Sequence, residues 1–332
     1  MHITILGGAG FLGRKVAARL AADGTLGGQP VSSLTLFDLA APPSPSGARF
    51  PVHSLAGDLA DLPAAAIPPG TGVVFHLAAV VSAAAEADYE LGRRVNVRGT
   101  DAVIDACRRL ASPPRVVFTS SVASFSGGQG AVLPDDARQV PANTYGAQKA
   151  AAELFLADAS RRGMLDAVSI RLPTVIVRPG RPNKAASSFV SAILREPLLG
   201  LPATLPVPDD FAVWVCSPRR AVEWLLHAAS MDTSAKGIGA MGLDRGINPP
   251  GISATVGEML QALDSVRPGA SALVERRPDP AVAAIVGGWP AAIAPVRAKA
   301  LGFAAHESLA DLVQAFIDDD LENTRDERNA NS

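Results

Sequence analysis

Through the first half of the chain, short runs of Val, Ile and Leu alternate with longer Ala-rich stretches whose apolar residues recur at three- and four-residue spacing. The short runs predict strands near 2–6, 34–37, 73–76, 115–119 and 167–172, and the longer stretches predict helices at about 11–22, 86–110 and 144–162. Such alternation builds βαβ units, so a parallel sheet covered on its faces is expected. After Arg178-Pro179-Gly180-Arg181-Pro182 the rhythm shortens. There the pattern predicts a helix at 186–195, a proline-punctuated loop from Pro197 to Pro208, a strand at 213–216 and a helix at 219–229. A strand near 244–248, a helix at 255–265 and a last amphipathic helix at 307–321 follow, and the polar stretch from Glu322 to Ser332 is expected to fray. Segments 23–33 and 41–49 read as connecting loops. The chain then divides into a larger unit, residues 1–178 with 213–248, a smaller substrate-binding region, 179–212 with 249–322, and a flexible tail, 323–332.

Composition narrows the function classes. Among 332 residues, Lys and Arg number 30 against 32 Asp and Glu, a net charge of −2 with the cations scattered, which argues against a nucleic-acid partner. A hydrophobic share of 48% with 19% charged residues suits a chain that folds throughout. Cys107 and Cys216 stand far apart with no metal-ligand spacing, so buried thiols are expected rather than a disulfide or zinc site, and no metal is expected elsewhere. With no basic leader at Met1–Gly7 and no apolar run of about 18 residues, the reading is a soluble, cytoplasmic protein without membrane contact.

Candidate chemistry begins after the first strand, where Gly7, Gly10 and Gly13 are spaced as GxxGxxG and open a helix. Glycine permits the tight turn, the approach of backbone to a pyrophosphate and the close packing of helix on strand, and the helix N-terminus offers N–H groups to the anion. Asp38 ends the next strand, where a carboxylate would accept hydrogen bonds from ribose hydroxyls and repel a 2′-phosphate, favouring NAD over NADP. Asp58 is a second candidate, capping a turn where the adenine edge could lie. Tyr145 and Lys149 stand four residues apart at a helix start and so share one face. Bringing a phenol from its usual pKa near 10 to neutrality takes about 4 kcal/mol, which an adjacent ammonium and a cationic nicotinamide ring could jointly supply. Ser120 and Ser121 follow the strand 115–119 at the carboxyl end, where ligands of open α/β sheets bind, although serines there also serve as turn caps.

Taken together, these residues resemble the extended short-chain dehydrogenases/reductases, the NAD-dependent epimerase/dehydratase family. The resemblance is carried by Gly7 to Gly13, Asp58-Leu59, His76-Leu77-Ala78-Ala79, Asn96 with Gly99-Thr100, Thr119-Ser120-Ser121 and Tyr145 with Lys149, in the family's order. It implies a Rossmann-type, doubly wound α/β fold with a smaller C-terminal substrate-binding region. It also implies a general base at Tyr145, a partner at Lys149 that holds the nicotinamide ribose, and an oxygen-positioning hydroxyl at Ser121. NAD would lie along Gly7, Gly10, Phe11, Leu12, Gly13, Asp38, Asp58, Leu59, Leu77, Ala78, Ala79, Asn96, Tyr145, Lys149 and Pro173. Homodimers would join through the helices at 86–110 and 144–162. On this reading His76 is a satisfied histidine near the core, not a metal ligand.

For the substrate, the Arg-Asp-aromatic-Ile/Val-His-Val segment of nucleotide-sugar enzymes corresponds here to Ala212-Val213-Trp214-Val215-Cys216-Ser217, in which both charged positions are gone. Within the family, Val80-Val81-Ser82, Arg171-Leu172-Pro173-Thr174-Val175, Arg178-Pro179-Gly180, Pro182-Asn183, Ala186-Ser187-Ser188-Phe189, Ser217-Pro218-Arg219 and Val256-Gly257-Glu258-Met259 resemble the D-erythronate dehydrogenases. That resemblance implies NAD-dependent oxidation of the C2 hydroxyl of a small sugar acid. Ser126 stands where those enzymes usually carry glycine, and Cys216 where they carry serine. Substrate positions are expected at Ser82, Ser121, Tyr145, Thr174, Arg178 and Asn183, with Arg178 either a fork for the substrate carboxylate or a brace for its own loop. The competing readings are a nucleotide-sugar epimerase or dehydratase and a non-catalytic dinucleotide sensor.

Overall fold

The computed structural model describes residues 1–180, 188–234, 241–305 and 308–329. Ten strands organise the described chain around its site: β1 (His2–Leu6), β2 (Ser33–Asp38), β3 (Val52–Ala56), β4 (Thr71–His76), β5 (Arg115–Ser121), β6 (Asp166–Leu172), β7 (Thr174–Val175), β8 (Ala212–Cys216), β9 (Gly246–Ile247) and β10 (Ile252–Thr255). Seven of them form one sheet in the order β9-β6-β5-β4-β1-β2-β3, with every neighbouring pair parallel. The chain moves outward from β1 to β2 and β3, then returns to lay β4 on the other side of β1. The carboxyl ends of β1 and β4 therefore flank a crevice, the usual ligand position in such sheets.

Alternation along the strands feeds two cores. Ile3, Ile5, Val117 and Val168 pack on one face with Val16 and Leu20 of α1 (Phe11–Asp23). Leu6, Val116 and Phe118 pack on the other face with Val103 of α2 (Gly99–Cys107) and with Ala152 and Leu156 of α3 (Thr144–Arg161). The first face also receives Trp224 and Leu225 of α4 (Pro218–Ser230). This is the doubly wound arrangement the sequence predicts. A further core gathers Ile193, Leu194, Val213, Val215, Leu260, Leu312 and Phe316 around a small sheet in the order β7-β8-β10. Ala298, Leu301 and Phe303, in the stretch expected to belong to the smaller region, pack instead with the first core.

Several elements differ from expectation for local reasons. The helix expected at 86–110 is broken into Ser82–Ala87, Tyr89–Gly92, a π-helical stretch Arg93–Arg98 and α2. Asp88 caps a fresh start by accepting from the Leu91 N–H at 2.9 Å. Strand β3 is an edge strand whose half-exposed Val-His-Ser-Leu-Ala pattern carries little periodic signal. The loop at 23–33 holds a short hairpin, Thr25–Leu26 with Gln29–Pro30. The proline-punctuated loop contains a strand at Ala203–Leu205, and its first proline, Pro197, lies inside the helix Ser188–Leu198. The last amphipathic helix runs Leu309–Asp319, and the polar tail expected to fray is helical over Leu321–Asn329. Arg328 donates to both carboxylate oxygens of Glu196, at 2.6 and 2.7 Å, a tie that polarity along the sequence does not reveal. Among the described residues no helix is long and apolar enough to cross a membrane.

Candidate active site

The first turn fits a dinucleotide by what it leaves out. A Cβ on Gly13 would stand 2.1 Å from the Gly7 carbonyl oxygen, so α1 can lie on the turn only because that side chain is missing. Gly7 has φ +91°, and its Cβ would fall 2.6 Å from the Ala78 backbone nitrogen. Bare backbone from the first turn and from the end of β4 thus meets at the crevice. Gly10 gives α1 no side-chain cap and the first turn carries no acid, which leaves helix N–H groups for an anion. A cavity of about 240 Å³ opens here, lined by Gly7, Gly10, Phe11, Leu12 and Gly13 and continuing past Leu77 and Ala79 to Ser121, Tyr145, Lys149, Pro173 and Arg178. Donor-rich turn, apolar walls and a polar far end suit NAD.

Asp38 sits at the end of β2 and accepts from the Ala9 N–H at 2.9 Å, which ties the carboxylate to the glycine turn. The other predicted cofactor residues divide between cavity wall and support. Ala78 donates its backbone N–H to Leu6 O at 2.9 Å, behind the turn. Leu59 is buried beneath Gly99, whose absent Cβ would stand 2.7 Å from it. Asp58 caps the Leu59–Asp61 turn through the Ala60 N–H at 2.8 Å and pairs with Arg94 at 2.9 Å, so both carboxylate oxygens are engaged by the chain. Asn96 is a strut: it exchanges hydrogen bonds with both backbone groups of Val80 and donates to Gln148 at 2.7 Å. The π-helical stretch carries this side chain inward.

At the far end, Asn143 caps α3 by accepting from the Gly146 N–H, so the helix starts with Tyr145 and Lys149 facing the crevice. The Lys149 ammonium donates to Thr119 O at 2.7 Å and lies 4.4 Å from the centroid of the Phe118 ring. Burial draws its pKa down to about 7, against the opposing pull of Glu153. Burial pushes the Tyr145 phenol up to about 12, opposed first by the charge of Arg178 and then by a hydrogen bond with Ser121. Both cations reach the phenol: the charge of Arg178 opposes the rise in its pKa, and the Lys149 ammonium lies 5.6 Å from the centroid of the Tyr145 ring. Ser121 also accepts from the Ala123 N–H at 3.1 Å, so it is a turn cap and a site hydroxyl together. His76 is buried, bonded through Nε2 to Thr100 at 3.0 Å and drawn down to about 3 by burial; it is a neutral core residue, but not the satisfied one expected, since its Nδ1 has no hydrogen-bond partner among the described residues.

The predicted substrate residues are not all brought together. Arg178 lines the cavity while its Nε donates to Val175 O at 3.0 Å, so the brace and the cavity-facing guanidinium coexist. Ser82 opens instead on a neighbouring cavity of about 750 Å³ shared with Glu86, Asn143, Ile285 and Trp289. Thr174 is buried in β7 and is not part of that cavity's lining. Asn183 lies outside the described residues. Ser126 holds the approach to α3, accepting from Ala142 N–H and Asn143 Nδ2 at 2.9 and 3.1 Å. Three groups escape a motif search: the Thr119 carbonyl, the Phe118 ring and the buried Glu153. Only Glu153 leaves a trace in the sequence, one helical turn beyond Lys149.

Residues 3–214 match the NAD-dependent epimerase/dehydratase family. The chain is 46% identical to the D-erythronate dehydrogenase of Cupriavidus necator over 96% of its own length and 98% of that enzyme's. It is 36% identical to the D-erythronate dehydrogenase of Haemophilus influenzae over 97% of this chain and all of that one. A solved structure described as a nucleoside-diphosphate-sugar epimerase from Agrobacterium tumefaciens superposes with a TM-score of 0.89 at 43% identity, covering 97% of this chain and 95% of that one.

The cradle makes a direct prediction. Gly13→Ala forces a methyl group into the Gly7 carbonyl, and NAD affinity, read by quenching of protein fluorescence, should fall at least tenfold. Unchanged affinity would place the dinucleotide elsewhere.

Proposed function

Because this chain belongs to the NAD-dependent epimerase/dehydratase family and is an NAD-dependent dehydrogenase, we propose that it oxidises the C2 hydroxyl of a small sugar acid of the D-erythronate class to the 2-oxo acid. The observation that carries this reading is the convergence of Ser121, Tyr145, Lys149 and Arg178 in one cavity beyond the glycine turn. Bound in that turn, NAD supplies the acceptor for the hydrogen and electron pair leaving C2, and the positive charge of its ring.

The protein's residues do the rest. Ser121 Oγ and the Tyr145 hydroxyl hold the substrate oxygen, and Tyr145 takes its proton as the carbonyl forms. In the free protein the phenol, near 12, is a poor base at neutral pH. Lowering it to neutrality requires about 7 kcal/mol, so positive charge must gather beside it before the reaction. Lys149 contributes an ammonium held by Thr119 O, poised to serve the ribose of the cofactor. Arg178 receives the substrate carboxylate, which would be costly to bury without a partner. Asp38, at the ribose end, favours NAD over NADP. In this reading the smaller core built around the sheet β7-β8-β10 serves the substrate, and a second copy of the chain covers the exposed Tyr89, Leu154 and Phe155.

The nucleotide-sugar reading is disfavoured by β8, whose Val213, Trp214, Val215 and Cys216 are buried and carry no charge for a diphosphate. NAD reduction should appear with tetronic acids in a panel that includes hexonic acids and UDP-sugars; turnover confined to UDP-sugars would reverse the choice. Tyr145→Phe should lower kcat by at least about a thousandfold with NAD affinity unchanged. Near-normal turnover in that variant is incompatible with the proposed base. Arg178→Lys keeps a charge but loses the fork, so KM for the acid should rise at least tenfold while NAD affinity holds. An unchanged KM would reduce Arg178 to its bond with Val175.

A further inference from the structure

Behind the site lies a buried ionic group that the proposed reaction does not use. Glu153, 5% exposed, follows Lys149 by one turn on α3. Its carboxylate accepts from the Ser120 hydroxyl, from Gln139 Nε2 at 2.9 Å, and from Arg171 at 3.0 Å through Nε and 2.9 Å through Nη2. Arg171 in turn faces the Phe125 ring at 5.4 Å, just beyond Ser121. Room for the guanidinium comes from Gly246, where a Cβ would stand 2.4 Å from Arg171 Nη2. Four segments, the end of β5, the loop before α3, α3 itself and β6, therefore converge on one carboxylate.

We propose that Glu153 is a positioning residue that fixes the end of β5 through Ser120 and holds Lys149 in its charged form, with Arg171 setting how much of that negative charge Lys149 feels. The inference rests on the roles proposed above for Lys149 and Ser121. The residues on either side of Ser120 explain the reach of the contact: Thr119 presents the carbonyl that holds the ammonium, and Ser121 presents the hydroxyl in the cavity. The other charged or titratable groups around Lys149 are few. His76 on β4 is neutral, Tyr145 lies one turn back on α3, Arg178 stands across the cavity and Arg171 lies beyond Glu153. Among these groups Glu153 is the negative charge, one turn from Lys149 on the same helix and opposing the fall in its pKa, and burial makes charge interactions there stronger than at the surface.

A positioning carboxylate and a merely structural one differ in the sign of their effects. Competitive acetylation of Lys149, quantified by mass spectrometry across pH, reads its pKa without turnover. Glu153→Gln removes the negative charge and should lower that pKa, whereas Arg171→Gln leaves the carboxylate uncompensated and should raise it, each by about one unit. Should Glu153→Gln fail to fold because Arg171 is stranded, the double variant Glu153→Gln/Arg171→Gln is compared with Arg171→Gln alone, and a lower Lys149 pKa in the double variant carries the same meaning. In turnover, the high-pH limb of kcat/KM should move in the same direction as the labelling. Shifts of the same sign in both single variants, or no difference between Arg171→Gln and the double variant, overturn the proposal. Labelling shifts as expected without turnover of any sugar acid would retain the positioning role and defeat the functional reading.

Discussion

A lysine ammonium enclosed at 2% exposure is the constraint around which the site is organised. A buried charge is tolerated only when hydrogen-bonded and electrostatically matched. Here the Thr119 carbonyl and the face of Phe118 receive it, and Glu153 answers its charge. Its partners come from two elements: the carbonyl and ring from β5, the carboxylate from α3, which also carries the lysine. Placing that ammonium therefore fixes α3 against β5, and with it the height of Tyr145 over the cavity floor. The placing of Tyr145 and Lys149 is a consequence of how two elements pack, not of a local motif alone.

The dinucleotide half of the site depends on absent atoms. Backbone from the first turn and backbone from the end of β4 approach closely because neither Gly7 nor Gly13 carries a side chain. The sheet order, with β4 returning to the far side of β1, creates the crevice into which this bare backbone opens. Glycine turn and buried ammonium then stand at opposite ends of one cavity.

Legibility in the sequence followed the physics of each element. The five inner strands of the main sheet read as apolar runs and were visible, as was β9 at one edge, whereas the half-exposed β3 at the other edge was not. The glycine turn and the Tyr145/Lys149 pair were legible because local spacing sets their geometry. Asp58 caps the turn after β3, as read from the sequence, but its ion pair with Arg94, distant in sequence, was not legible. Ser82 followed the family order toward the cofactor, yet the short helix it opens turns it into a neighbouring cavity. Helix spacing brought Lys149 to the Tyr145 ring, 5.6 Å from its centroid, but the second cation, Arg178, comes from the β7 loop, and no periodicity encodes that meeting.

The central claim is that Tyr145 is an inactive acid in the free protein and becomes a base only when positive charge is assembled beside it. Tyrosinate absorbance at 295 nm tests this directly, since the chain has two tyrosines and the Tyr145→Phe variant supplies the contribution of the exposed Tyr89. Titrated without cofactor, Tyr145 should ionise only near pH 12, and saturating NAD should move its ionisation several units toward neutrality. Ionisation of Tyr145 near neutral pH in the free protein, or a titration that NAD leaves unchanged, would contradict the account.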